Sequence, residues 1–141
     1  WEKLKQQEKR AHSPVEGIPT TLPALAHAQL MQKRVARVGF DWKDLTGVLD
    51  KVSEELKELQ SGDTKEIYTW EVGDLLFSLV NLSRWLDIEA EDSLRQANAR
   101  FSKRFIDMEE MCKNQTLDFE SLSMEEKNKL WSKAKEREKL I

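Results

Sequence analysis

The sequence is poor in the residues that define several classes of protein. It has one cysteine, Cys112, and three prolines in 141 residues. A single cysteine cannot form a disulfide within the chain, so we expect a reducing, cytoplasmic setting. No apolar run reaches the roughly 18–20 residues of a membrane-spanning helix, so we expect no membrane contact. The formal net charge of −3 gives no overall basic field for a nucleic-acid polymer.

Charged and apolar residues are abundant, at 35% and 39% of the chain. This mix is typical of a helix-rich globular domain. All three prolines lie in the stretch AHSPVEGIPTTLP, so residues 1–22 are interpreted as a charged segment and a proline-containing connector. Residues 23–141 are predicted to form one helical domain. Because the chain starts with Trp1 rather than Met, we expect it to be a part of a longer protein.

Apolar residues recur at three- and four-residue steps along residues 23–141, which is the period of an α-helix. We predict an all-α fold, an antiparallel bundle of about four to five helices with short connections. The predicted helices span about 23–38, 46–60, 63–86 and 92–113, with a last helix after Ser123. Asp44 or Thr46 is expected to cap the second helix, and Ser123 with Glu126 has the pattern of a capping box.

Five acidic residues stand in two groups. The stretch EELKE holds Glu54, Glu55 and Glu58, and the stretch EVGD, just before LLFSLVNL, holds Glu71 and Asp74. On a helical wheel, Glu55 and Glu58 flank the apolar stripe of the second helix, whereas Glu71 falls inside the apolar face of the third. Like charges in such a place require a compensating cation, either an Arg or Lys side chain or a bound divalent metal.

The spacing of these acids favours convergence on one point. Each pair, Glu55 with Glu58 and Glu71 with Asp74, has i, i+3 spacing, and the SGD turn can fold the two helices back on each other. Four oxygen donors without sulfur or imidazole suit a hard cation such as Mg²⁺ or Mn²⁺. An EExxE motif on a charged helix is more often part of a solvated surface. The second pair lies on an apolar face, so a metal site remains an alternative interpretation.

Four stretches together resemble the MazG family of nucleoside triphosphate pyrophosphohydrolases. They are EELKE with EVGDLLFSLVNLSRWL, GIPTTLPALAHAQLMQKRVARVGFDW, ANARFSKRF and LWSKAK. The resemblance covers about residues 14–135, and the joint pattern is specific although each piece alone is weak. The stretch WEKLKQQEK also resembles the segment that precedes the second unit in tandem members, so the chain resembles their C-terminal unit.

The resemblance implies an all-α, Mg²⁺-dependent enzyme that hydrolyses nucleoside triphosphates to the monophosphate and pyrophosphate and thereby cleans the nucleotide pool. The implied metal ligands are Glu55, Glu58, Glu71 and Asp74. A catalytic role, as the base that takes a proton from the attacking water, is expected for Glu54 or Glu58. The implied substrate-binding residues are Lys51, Arg100, Arg104 and Trp131.

Two other functions stay open at this point. One is a pyrophosphatase selective for dUTP, dCTP or a modified nucleotide, because base selection depends on the shape of the pocket. The other is a non-catalytic helical module for dimerisation. We expect a homodimer, because the third helix is apolar on more sides than one small bundle can cover. For Trp131, anchoring its helix is the alternative to stacking on a base.

Overall fold

The structure of the chain, a computed structural model, describes residues 1–5 and 13–139. Across these residues the secondary structure is helical and no β-strand occurs, which confirms the predicted all-α class. The elements are α1 (Ala24–Arg37), α2 (Leu45–Gln60), α3 (Lys65–Trp85), α4 (Ala90–Asn114), a 3-10 helix (Phe119–Ser121) and α5 (Met124–Lys139). Part of the predicted N-terminal segment, residues 6–12, lies outside the described residues.

Side-chain caps explain where three of the helices begin. Asp44, one of the two predicted caps, precedes α2 and accepts a hydrogen bond from the amide of Gly47 at 2.9 Å. Thr64 precedes α3 and accepts from a backbone amide of its first turn at 3.2 Å. Ser123 and Glu126 bond each other reciprocally at 3.2 and 3.3 Å, so the predicted capping box before α5 is confirmed.

The chain divides into two compact units, residues 1–93 and residues 94–141. In the first unit, α2 and α3 are joined by the turn at 61–64 and pack along each other, and α1 packs on α3. A connection this short makes α2 and α3 antiparallel neighbours. Val48 on α2 and Val80 on α3 are buried core residues of this unit.

Gln29 joins α1 to the turn that follows α3, and it is only 3% exposed. Its Nε2 donates to the carbonyl of Ile88 at 2.8 Å, and its Oε1 accepts from the amide of Ala90 at 2.8 Å. Buried polar groups are stable only when they are hydrogen-bonded, and both ends of this amide are. The side chain therefore holds the start of α4 against α1.

The second unit has a core of its own. Its buried members, from α4 and α5, are Met108, Met111, Cys112, Leu130 and Ala134, with Phe119, Leu122 and Trp131 packed against them. The buried position of the cysteine agrees with the packing role that a lone thiol usually has. None of the helices within the described part of the chain is both long and apolar enough to cross a membrane.

Candidate functional site

Helices α2 and α3 bring three of the predicted acidic ligands together. One carboxylate oxygen from each of Glu55, Glu71 and Asp74 lies within 4.8 Å of the other two. The two helices reach this arrangement through the turn at 61–64, where the hydroxyl of Tyr68 donates to the carbonyl of Gly62 at 2.7 Å. We refer to these three side chains as the carboxylate cluster.

Two oxygens of the carboxylate cluster are buried without a hydrogen-bond partner. They are Oε2 of Glu55, a residue that is 4% exposed, and Oε2 of Glu71, which is half-buried. A buried acceptor without a donor is destabilising, and a buried charge is more so. One such oxygen on each of the two helices therefore points to a cation that both helices would share.

Lys51 supplies one positive charge to this region. It lies one turn before Glu55 on α2, and its Nζ is 2.8 Å from Oε1 of Glu55 and 3.3 Å from Oε1 of Glu54. The ammonium group holds the pKa of Glu55 below its usual value, and Glu55 in turn raises the pKa of Lys51. A protein cation, one of the two possibilities that the sequence left open, is therefore present at this site. Both of its carboxylate partners in these bonds lie on α2.

Glu71 has a different environment. Burial raises the pKa of Glu71, and the negative charges of Glu58, Glu55 and Asp74 raise it further. Glu58 is itself exposed and stands at the rim of the carboxylate cluster, close enough to act on Glu71. Glu54 is also exposed and faces Lys51. The metal role of Glu58 and the catalytic roles of Glu54 and Glu58 stay predictions.

The carboxylate cluster fits a hard divalent cation on chemical grounds. Its donors are carboxylate oxygens, which such cations prefer. Oxygens bound to one ion at about 2.0–2.6 Å are at most about 4–5 Å apart, which matches the spacing of the cluster. Glu55, Glu71 and Asp74 can therefore hold a divalent ion with little movement of their side chains.

The remaining predicted site residues belong to the second unit. Arg104 on α4 pairs with Glu138 on α5, with Nε 2.9 Å from Oε2, and its guanidinium lies 5.5 Å from the ring centre of Trp131. Trp131 also packs against the core of this unit, which is the contact that its alternative role as a helix anchor requires. Arg100 is exposed. The substrate roles of Arg100, Arg104 and Trp131 stay predictions.

The first unit also contains a cavity of about 470 Å³ that the sequence interpretation missed. Lys51 lines it, as do the buried Gln32 of α1 and Asn81 of α3, so it adjoins the carboxylate cluster through Lys51. A signal for Gln32 was available, because it lies four residues after Ala28 and three before Val35 on the apolar face of α1. A polar residue that is buried on such a face is unusual and therefore indicates a specific role for its side chain.

The sequence of the chain is similar to those of known proteins. No family model matches the chain. It is 44% identical over 137 residues to a "Nucleoside triphosphate pyrophosphohydrolase/pyrophosphatase MazG" of Thermotoga maritima, covering 96% of this chain and 54% of that protein. It is 39% identical over 146 residues to a "Nucleoside triphosphate pyrophosphohydrolase" of Escherichia coli, covering 98% and 56%.

A third relative is an "Uncharacterized protein YabN" of Bacillus subtilis, 41% identical over 145 residues, which cover 99% of this chain and 30% of that protein. In each comparison nearly the whole chain is aligned. The chain spans about half the length of the first two relatives.

Proposed function

We propose that this chain, which belongs to the MazG family of nucleoside triphosphate pyrophosphohydrolases, hydrolyses nucleoside triphosphates to the monophosphate and pyrophosphate. The observation that carries the proposal is the carboxylate cluster, with one partnerless buried oxygen on each of two helices. A polyphosphate is itself negative and can approach these acids only when cations stand between them. Removal of damaged or surplus nucleotides from the cellular pool is the role that this reaction would serve.

Mg²⁺ is the proposed cofactor, with Mn²⁺ as a substitute, held by Glu55, Glu71 and Asp74 and by Glu58 at the rim. When bound, the ion would neutralise phosphate charge and act as a Lewis acid. The protein groups have separate tasks. Glu71 must lose its proton before it can bind the ion, so its raised pKa makes metal binding depend on pH.

The exposed carboxylates at the rim are the proposed general bases. Glu58 and Glu54 are solvent-accessible, so either can take a proton from an attacking water. Glu54 lies 3.3 Å from the ammonium group of Lys51. Lys51, whose Nζ lies 2.8 Å from Glu55, would contact a phosphate oxygen of the substrate when Glu55 holds a metal ion.

Arg100 and Arg104 are proposed to neutralise the departing pyrophosphate. A guanidinium offers a planar fork of donors that fits phosphate oxygens. Arg104 is held in place by Glu138 at 2.9 Å and by the ring of Trp131, so its position is set before any substrate arrives. Trp131, whose ring centre lies 5.5 Å from the same guanidinium, is proposed to lie close to the nucleotide.

A homodimer is the proposed assembly. Several large apolar side chains of α3 are more than two-fifths exposed in the single chain, among them Trp70, Val72, Leu76, Phe77 and Leu79. Exposed apolar surface of this extent marks an interaction site. Size-exclusion chromatography with light scattering at micromolar protein is the test, and a monomer would contradict the proposal.

The buried free thiol of Cys112 supports a reducing, cytoplasmic location.

Pyrophosphate release from a mixed nucleotide pool tests the proposed reaction. We expect release by the wild-type chain with Mg²⁺ and none with EDTA. Glu71→Gln is expected to abolish release and to leave the helical circular-dichroism spectrum unchanged. Glu109→Gln, at an exposed position of α4, is the matched control and is expected to retain activity. Wild-type activity in the Glu71 variant would show that the cluster is not the metal site.

A further inference from the structure

The stretch SPVEG, residues 13–17, forms a defined turn before α1, and we call it the strap. The amide of Glu16 donates to the carbonyl of Ser13 at 3.1 Å, which closes the turn. The amide of Val15 donates to the hydroxyl oxygen of Ser13 at 3.3 Å. Gly17 ends the strap with a φ of +74°, a backbone conformation that glycine adopts more easily than other residues. The strap therefore has one preferred shape.

Arg34 on α1 holds the strap against the helix. Its Nη1 donates to the carbonyl of Glu16 at 2.8 Å and to the carbonyl of Pro14 at 3.4 Å. One terminal nitrogen of a guanidinium carries more than one N–H group, so it can serve both carbonyls. Because these carbonyls flank Val15, the contact also fixes where the side chain of Val15 lies.

Val15 is the residue through which the strap reaches the cavity of about 470 Å³. It lines this cavity together with Met31 and Val35 of α1. Val15 is nevertheless 44% exposed to solvent. A side chain that lines a cavity and is still nearly half exposed stands at its opening. The strap therefore forms part of the opening of the cavity.

The strap is a part of the cavity wall that can move without unfolding a helix. Val15, Glu16 and Gly17 are exposed, and so is the shorter bond of Arg34. Segments with few buried apolar contacts and with exposed hydrogen bonds open at a much smaller free-energy cost than the core. Val48, another residue that lines the cavity, is by contrast buried in the core of the first unit.

We propose that the strap is a movable closure of the cavity, and that Arg34 is the positioning residue that keeps it closed while a nucleotide is bound. This proposal rests on the proposed function, because the cavity adjoins the carboxylate cluster through Lys51, whose Nζ lies 2.8 Å from Glu55. Closure buries the exposed part of Val15 against the ligand, which stabilises the complex. Opening of the strap lets the nucleotide enter and the products leave.

Dissociation of a nucleotide that cannot be cleaved tests the role of Arg34. The probe is the α,β-methylene analogue, with Mg²⁺, of a triphosphate that the wild type hydrolyses, because the proposed reaction breaks the link between the α and β phosphates. Arg34→Met removes the donors and keeps an unbranched side chain. We expect the probe to leave this variant about tenfold faster, which is the size of one net hydrogen bond. Stopped-flow tryptophan fluorescence follows the dissociation, since Trp42 lines the cavity.

Steady-state kinetics separate closure from chemistry. The KM of Arg34→Met should rise while its kcat falls by less than about twofold, because the strap acts on binding. Arg37→Met, at the exposed last residue of α1, is the matched control and should behave as the wild type. A fall in kcat that exceeds the rise in KM would overturn the proposal, because Arg34 would then act on the chemical step.

Hydrogen exchange observes the strap without turnover. In the wild type, a saturating concentration of the probe should slow exchange of the Val15 and Glu16 amides by about tenfold, as two-dimensional NMR can measure. In Arg34→Met the same two amides should exchange faster than in the wild type even without the probe. Equal exchange in the wild type with and without the probe would overturn the proposal.

The outcomes separate this proposal from the proposed function. Hydrolysis by the wild type, with dissociation from Arg34→Met within about twofold of the wild type, would leave the pyrophosphohydrolase function standing and overturn the role of Arg34. Absence of hydrolysis of every nucleoside triphosphate would overturn both. If Arg34→Met does not fold, Gly17→Ala decides. Its added Cβ disfavours the φ of +74°, so the probe should leave about fivefold faster, and an unchanged rate would overturn the proposal.

Discussion

Replacing Lys51 with methionine removes the positive charge 2.8 Å from Glu55 and keeps an unbranched side chain in its place. Two unit charges at this separation attract by about 6 kcal/mol at the effective dielectric constant of about 20 that suits protein ion pairs. The side chain of Lys51 is 33% exposed and both ions lose hydration, which offsets most of this attraction. We expect Lys51→Met to lower the free energy of unfolding in metal-free buffer by about 1–3 kcal/mol.

The loss should depend on pH in a defined direction. Lys51 holds the pKa of Glu55 below its usual value of 4.5, so the ion pair stabilises the folded chain above that pH. The contribution disappears as the pH falls through the lowered pKa, because Glu55 is then protonated in both states. The difference between wild type and variant should therefore be complete near neutral pH and shrink in acid.

Urea denaturation, followed by tryptophan fluorescence and circular dichroism, measures this difference in EDTA and in Mg²⁺. A divalent ion on the same carboxylates replaces the missing charge, and an ion at about ten times its Kd stabilises by about 1.4 kcal/mol. The variant should therefore regain much of its loss in Mg²⁺. Lys57→Met, an exposed lysine on the same helix, is the control. Equal losses with and without Mg²⁺, or no loss in either buffer, would refute the reasoning.

Three further substitutions test other parts of the structure. Glu71→Gln should stabilise the metal-free protein at neutral pH, because the pKa of Glu71 is raised and its ionised form becomes destabilising as the pH rises above 4.5; urea denaturation at several pH values checks this. Gln29→Leu removes the partner of the Ile88 carbonyl and of the buried Ala90 amide, and should lower the unfolding free energy by about 2–4 kcal/mol, measured by the same assay. Arg84→Lys loses the fork to Asp41 and should cost about 1 kcal/mol. Because Arg84 lowers the pKa of Asp41, this contribution is present above pH 3.8 and lost as the pH falls further, which thermal melts can follow.

The fold could be predicted from the sequence because its determinants are local. Helix periodicity needs only the spacing of apolar residues, and caps such as Asp44 and Ser123 act within four residues of themselves. Convergence of Glu55 with Glu71 was also predictable, since a helical wheel and one short turn are enough to bring the two side chains together.

The cavity could not be predicted in the same way, because its polarity depends on distant partners. The free acceptor of Gln32 exists only because the carbonyl of Phe77 occupies its nitrogen, and Phe77 stands on another helix. The side-chain oxygen of Asn81 accepts from Arg84, and the direction of Arg84 is set by Asp41 in the loop before α2. No periodic pattern contains these relations.

The contacts of Lys51 could be predicted only in part from the sequence. Its i, i+4 spacing to Glu55 was visible in the sequence and is typical of an intrahelical ion pair. The family resemblance instead implied that Lys51 contacts a phosphate of the substrate. Which of the two contacts Lys51 makes depends on whether substrate is bound. Arg104 presents the same difficulty, since its partner Glu138 comes late in the chain and its pairing depends on how α4 and α5 pack.

The antiparallel pairing of α2 and α3 through the turn at 61–64 also bears on how the protein folds. All three members of the carboxylate cluster lie within residues 55–74, so little chain must be ordered to assemble them. Low sequence separation lowers the entropy of loop closure and is associated with rapid folding. The helical hairpin of α2 and α3 is therefore expected to form early in folding.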